Sequence, residues 1–264
     1  LQSRVEVLPG WDGEIRLLLL YGAFLPWGER FTLWPRPKAQ DFCLSAATIA
    51  WRIQLLTLYL GAGLLKGGAY WADGTAVDVS LHSDAYATVW ASRLLQVLKP
   101  YPEALVWLND GVPLVELLVP CLLFVPIPWV QFAGALALGL MHLGFGLCLD
   151  IDLFSPVCCA CLLCFVPADV WNRLAQRWPQ FLPSGEGPGC RLKVWESAFL
   201  GWVSFSVIWS MLSGLPEGKG LISSQARGPL LLLGLEQRWG MFVPPPVRGG
   251  WHVIKGQTRQ GEWV

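Results

Sequence analysis

Residues 42–65 read FCLSAATIAWRIQLLTLYLGAGLL, and this stretch decides the class of the fold. An α-helix needs about 20 mainly apolar residues to cross a bilayer core, and Arg52 is the only charged residue here. Comparable stretches lie at 104–125, 129–149, 153–166 and 194–212, and a shorter one lies at 15–27. We therefore expect an all-α integral membrane helical bundle with about five to six membrane helices in this chain.

The composition agrees with lipid as the solvent of this chain. Of its 264 residues, 54% are hydrophobic and 14% are charged, whereas charged residues make up about 25% of an average soluble domain. This composition excludes an ordinary soluble enzyme and a disordered chain. The 19 basic and 19 acidic residues cancel and form no basic cluster, so we expect no nucleic-acid partner. The expected partners are the lipid bilayer and a membrane protein or peptide.

The chain divides into three parts by composition. Residues 1–14 form a polar lead-in, 15–215 the membrane bundle and 216–264 an extramembrane tail. In the tail, two short strand patterns flank residues 256–261 and predict the start of a β-hairpin. Residue 1 is leucine and the last residues lie inside the second strand pattern, so we expect a fragment.

The distribution of basic residues predicts the orientation in the membrane. Cytoplasmic loops are enriched in lysine and arginine. If 15–27 and 153–166 both cross, the loops at 28–41 and 167–193 lie on one side and hold most of the basic loop residues. Those loops are then cytoplasmic, and the loop after Lys66 and the C-terminal tail lie on the non-cytoplasmic side.

Lys66 is the first candidate functional residue. It ends the first clear span and is followed by two glycines and by Tyr70 and Trp71. A lysine at a helix end can extend its amine to the headgroup layer. Alternatively, desolvation lowers the pKa of the amine and makes it available as a base or nucleophile. The sequence leaves both interpretations open.

The residues after Trp71 favour a structural role. Asp73, Gly74 and Thr75 are typical of a turn in which a side chain caps the next helix by accepting hydrogen bonds from backbone amides.

Two candidate functional residues with ionisable side chains lie deep within predicted spans. Glu116 would be costly in lipid unless it is paired or protonated, and Arg52 and Gln54 are the expected partners. A buried ion pair between helices is favoured over a role in proton transfer. His142 lies near several glycines, and we interpret it as a hydrogen-bonded core histidine.

Four of the eight cysteines cluster within one apolar stretch, at positions 158, 159, 161 and 164. A structural zinc site needs a second pair of ligands at a suitable spacing, and the remaining cysteines provide none. We therefore predict no metal site and interpret these cysteines as small apolar residues.

Several motifs together resemble one known family. The run from Gln54 to Lys66, followed by Trp71 to Val77, is similar to the signature of the horizontally transferred transmembrane (HTTM) family, whose relatives include the vitamin K-dependent gamma-glutamyl carboxylase. The resemblance extends over residues 15–264. Further matching segments, in chain order, are 24–30, Glu116 with Pro120, 153–157, 165–167 and 237–242 with Pro244.

The resemblance implies a specific chemistry. In the carboxylase branch, a lysine in the corresponding setting acts as the base on vitamin K hydroquinone, and Lys66 falls on that position. The implied activity is a carbon–carbon lyase or ligase type of carboxylation that uses this hydroquinone or another quinol. The remaining candidates for substrate binding or structural support are Tyr70, Trp71, Asp73, Gly74, Glu116 and His142.

A second function remains open beside the enzyme. The chain could keep the fold without catalysis and bind lipid, quinone or a membrane partner. One branch of the family is linked to the maturation of a secreted peptide, which is a further alternative. The environment of the Lys66 amine distinguishes these possibilities, because a base must be held within the protein.

Overall fold

The computed structural model describes residues 10–25, 45–84, 86–177 and 192–214, and every regular element in them is helical. The described part contains no β-strand. In chain order the helices are α1 (Gly10–Gly22), α2 (Ala46–Leu65), α3 (Ala69–Ala72), α4 (Ala76–Leu81), α5 (Val89–Leu98), α6 (Glu103–Leu122), α7 (Pro128–Cys148), α8 (Phe154–Leu162), α9 (Ala168–Gln176) and α10 (Val194–Gly214). The predicted β-hairpin lies outside the described residues.

Three helices among the described residues are long and apolar enough to cross a membrane, namely α2, α6 and α7. They match three of the predicted spans to within a few residues, and they are compatible with a membrane protein. The larger bundle is not confirmed. Helix α1 has only 13 residues, and α8 has 9 before a 3₁₀ turn. Helix α10 has 21 residues and is not among the three.

Local sequence signals explain where α2 begins and ends. Ser45 and Thr48 form a reciprocal capping box at its start, in which each side chain accepts a hydrogen bond from the other residue's backbone N–H. The helix ends at Lys66, whose backbone N–H donates to the carbonyl of Gly63. Gly68 follows with a φ of 106°, a left-handed conformation that favours glycine.

Helix α2 is the centre of the packing. It contacts α1, α6 and α10, while α6 also contacts α7, and α7 contacts α8. Half of the span window of α2 is buried, compared with 17% for α6 and 22% for α7. Leucines such as Leu118 on α6 and Leu140 on α7 are largely exposed. An apolar outer surface of this kind suits a lipid environment.

The short helices α4 and α5 pack on the neighbouring spans. Helix α4 contacts α6, and α5 contacts α7. An isolated antiparallel bridge joins Ala87 to Leu149, and the Thr88 hydroxyl donates to the carbonyl of Leu147. The start of α5 is thus tied to the end of α7, and Trp90 of α5 is half exposed.

Candidate functional site

The amine of Lys66 points into the protein. Its Nζ donates to Oε2 of Glu116 on α6, and the two side chains are 1% and 2% exposed. A second, longer contact of 3.5 Å joins Nζ to the carbonyl oxygen of Ala62. This geometry differs from a lysine that extends to the headgroup layer, because a buried carboxylate holds the ammonium between two helices.

The close approach of α2 and α6 depends on Gly63. A Cβ atom at this position would lie 2.8 Å from Leu117 Cγ and 3.4 Å from Glu116 Cβ. Any larger residue would therefore push against the helix that carries Glu116. Gly63 lies about one helical turn before Lys66. Because it has no side chain, the two helices come close enough for the two charged groups to meet.

The structure corrects the expected partners of Glu116. The Arg52 guanidinium lies 5.2 Å from the centroid of the Phe165 ring, and Gln54 Nε2 donates to Glu14 Oε2 at 2.6 Å. Neither is the partner of Glu116, which bonds to Lys66. The sequence showed that the Glu116 carboxylate needed a partner. Which residue becomes that partner depends on how the helices are rotated about their axes.

Trp71 forms one wall of the site. Its ring centroid lies 5.5 Å from Lys66 Nζ, which permits a cation–π contact. The buried Asn109 on α6 donates from Nδ2 to the Trp71 carbonyl oxygen at 3.2 Å, and its Oδ1 accepts from the Ala76 N–H at 3.1 Å. Asn109 therefore fixes the chain on both sides of the turn after Trp71. The sequence analysis missed it, although a polar residue in an apolar stretch was a usable signal.

The other candidates in this turn lie at its surface. Tyr70 and Asp73 are exposed, and among the described residues neither side chain has a hydrogen bond or ion pair to Lys66 or Glu116. Gly74 adopts a φ of 73°, which favours glycine at this turn. The expected side-chain cap is wrong, because Thr75 caps no amide of α4 and instead donates to the carbonyl of Tyr70 at 3.4 Å.

His142 is buried on α7, as expected for a core histidine. Its Nε2 is hydrogen-bonded to the Tyr59 hydroxyl at 3.0 Å, and its ring lies edge-on against Phe145 and Phe154. Its Nδ1 has no hydrogen-bond partner among the described residues. Tyr59 lies two helical turns before Lys66 on α2, so the two side chains point to the same side of that helix.

An apolar cavity of about 290 Å³ lies beside this site. Trp71 lines it, so the cavity and the ion pair share one residue. The other lining residues belong to α4, α5, α6 and α7, and Leu149 directly follows α7. They are Val77, Ser80, Leu81, Leu94, Leu108, Val112, Leu140, Met141, Gly144, Phe145, Cys148 and Leu149.

A second buried carboxylate packs against α2 from another helix. Glu14 on α1 is 1% exposed, and its Oε1 has no partner among the described residues. Its other oxygen accepts the hydrogen bond from Gln54. The sequence analysis placed this residue in the polar lead-in, whereas α1 begins at Gly10.

The described residues contain no group of three His, Cys, Asp or Glu side chains that could hold a metal ion. The clustered cysteines of α8 and the turn after it are free thiols. No protein-family model, no curated protein and no solved structure matches the chain. The resemblance to the HTTM family therefore stays a prediction.

Proposed function

We propose that this chain is an HTTM-type membrane enzyme, related in chemistry to the vitamin K-dependent gamma-carboxylase, in which Lys66 is the base on a lipid-soluble quinol. The observation that carries the proposal is the position of the Lys66 amine, which is buried against Glu116. The headgroup-layer interpretation requires an amine that reaches water, so this geometry favours the base.

The side chains present suit a quinol. A neutral amine accepts a proton from a phenolic hydroxyl, and the flat face of Trp71 lies close enough to pack against a ring beside Lys66. When bound, the quinol supplies, together with dioxygen, the strong base that removes a proton from a glutamate side chain before carbon dioxide adds. The other cosubstrates are thus dioxygen, carbon dioxide and a peptide.

Glu116 has two roles in this proposal. Its carboxylate fixes the amine in the interior, and it exchanges a proton with that amine, because the two groups are directly hydrogen-bonded. The neutral form of the pair makes the amine available as a base. Gly63 keeps the two groups within bonding distance, and Asn109 fixes the turn that carries Trp71.

The peptide substrate enters from the non-cytoplasmic side in this proposal. If residues 15–27 and 153–166 both cross the membrane, the distribution of basic residues predicts that the loop after Lys66 and the C-terminal tail lie on that side. The amine then lies near the end of a span, where a quinol arrives through the bilayer and a water-soluble peptide arrives from outside.

The same ion pair also supports a non-catalytic function. A buried pair joins α2 to α6, and the side chains of both residues are almost fully buried. A membrane protein that binds lipid, quinone or a partner, or that assists the maturation of a secreted peptide, needs no more than this structural role. The two functions differ in whether a proton must leave the amine.

Substitution of Lys66 by arginine separates the two functions. Arginine keeps the positive charge beside Glu116 but stays protonated, so it cannot act as a base. We expect Lys66→Arg in the intact protein to abolish quinol oxidation under dioxygen while the melting temperature stays unchanged. Lys99→Arg, at an exposed lysine just after α5, is the matched control and should retain full turnover.

Rescue adds a second measurement. A small primary amine should restore part of the turnover of Lys66→Ala, because it can enter the space left by the side chain. Full activity in Lys66→Arg would make the ion pair purely structural. An intact wild-type protein that oxidises no quinol would leave the non-catalytic function as the better account.

A further inference from the structure

We infer that the apolar cavity beside Trp71 binds an acyl chain of a membrane lipid. The inference concerns this cavity alone and does not require that Lys66 be catalytic. It is based on the lining chemistry, the size and the position of the cavity.

The lining offers almost no polar groups to a ligand. The polar groups among the lining side chains are the Ser80 hydroxyl, the Cys148 thiol and the indole N–H of Trp71. The Ser80 hydroxyl already donates to the carbonyl of Ala76 at 2.7 Å. A lipid headgroup placed here would leave most of its own polar groups without partners, which opposes its binding. A hydrocarbon segment matches this surface.

The size of the cavity is sufficient for a hydrocarbon segment. It measures about 290 Å³, close to the lower end of the range of about 300–1,000 Å³ for pockets that hold small molecules. Because the lining is apolar, the polar end of a bound lipid would lie outside the cavity.

The position of the cavity connects it to lipid. Leu108 of α6 and Leu140 of α7 belong to its lining and are 41% and 59% exposed on the outer surface of candidate spans. In a bilayer these surfaces face acyl chains, so a chain can enter sideways without crossing water. Trp71 belongs to the same lining, and it also contacts the Lys66 amine.

Glycines on α7 provide a matched pair of variants. Gly144 lines the cavity, and a Cβ added there meets no atom within 4 Å. Gly139 on the same helix has equally open space but does not line the cavity. Gly144→Leu should therefore fill the cavity, whereas Gly139→Leu makes the same chemical change elsewhere. Val112→Leu, from α6, is a second filling variant that does not depend on glycine.

Photo-cross-linking of the intact protein in nanodiscs tests the inference. One probe is a phosphatidylcholine with a diazirine at the end of one acyl chain, and the other is a prenylated benzoquinone with the diazirine at the end of its tail. Mass spectrometry measures labelling of Met141 and Leu94 relative to the outward-facing Leu118. We expect preferential labelling of the cavity residues, reduced about tenfold by Gly144→Leu and unchanged by Gly139→Leu.

The outcomes separate the sources and the proposals. Labelling by the phospholipid supports the inference, and labelling by the quinone probe alone would overturn it. Labelling of the cavity residues no stronger than that of Leu118, or unchanged in both filling variants, would overturn the inference. If labelling persists while Lys66→Arg keeps full turnover, the binding site stands and the proposed base does not.

Discussion

Helix α2 buries two carboxylates that come from different helices, and their partners differ. Near its end, Lys66 pairs with Glu116 of α6, and one charge meets the opposite charge. About 18 Å further back along the helix, Gln54 offers only a neutral amide to Glu14 of α1. The Lys66–Glu116 site pairs two opposite charges, whereas the Gln54–Glu14 site provides only a hydrogen bond to a polar group.

The physical consequence concerns protonation. An ionised carboxylate in an apolar interior is costly unless an opposite charge and hydrogen bonds compensate it. Glu116 has that compensation. Glu14 has one amide donor, and its second oxygen has no partner among the described residues. We therefore expect a charged or proton-sharing pair at Lys66 and a neutral carboxylic acid at Glu14.

The largest effect is expected when one member of the ion pair is removed. Glu116→Leu leaves the Lys66 ammonium buried without its partner, which should lower the free energy of unfolding by about 3–5 kcal/mol. The double variant Lys66→Met with Glu116→Leu removes both charges and should recover most of this loss. Denaturant titration in detergent measures both variants. Equal loss in the single and double variants would mean that the pair contributes no charge compensation.

A smaller loss is expected at Asn109. Asn109→Leu removes the acceptor of the Ala76 N–H and the donor to the Trp71 carbonyl, both on the turn beside the pair. Loss of these bonds should lower the free energy of unfolding by about 1–3 kcal/mol. Gln96→Leu, at an exposed position on α5, is the control and should change it little. A stable Asn109→Leu would show that the turn is held by other contacts.

The next largest change in the free energy of unfolding is expected at the contact between α2 and α6. Gly63→Ala introduces a Cβ that approaches the Leu117 side chain, which can shift, so we expect a loss of about 1 kcal/mol. Gly201→Ala on α10 is the matched control, because its Cβ meets no atom within 4 Å. In an open helical position alanine should stabilise by about 0.5–1 kcal/mol. A gain at both positions would show that α6 has room to move.

The sequence predicted the helices better than it predicted the contacts between them. The length of each apolar stretch and the Ser45 cap set the bounds of α2, because these are local properties. The pairing of Lys66 with Glu116 joins residues 50 positions apart and depends on the rotation and spacing of two helices. The polar composition of residues 1–14 predicts a lead-in, whereas Glu14 is buried in α1, because its burial depends on packing against α2 rather than on local composition.

The smallest effect is expected at Glu14, and it tests the comparison most directly. A neutral acid and an amide are similar in size, and each can accept the hydrogen bond from Gln54, so Glu14→Gln should change the free energy of unfolding by about 0.5 kcal/mol or less. Glu116→Gln makes the same chemical change at the paired site, where it removes the charge opposite a buried ammonium. There the expected loss is about 3 kcal/mol. Thermal and denaturant unfolding in one detergent compare the two variants under identical conditions.

If Glu14→Gln were as destabilising as Glu116→Gln, Glu14 would carry a charge and the two regions of α2 would not differ in kind. If neither variant were destabilising, the Lys66 amine would not need its carboxylate, and the site would lose the feature on which a buried base depends.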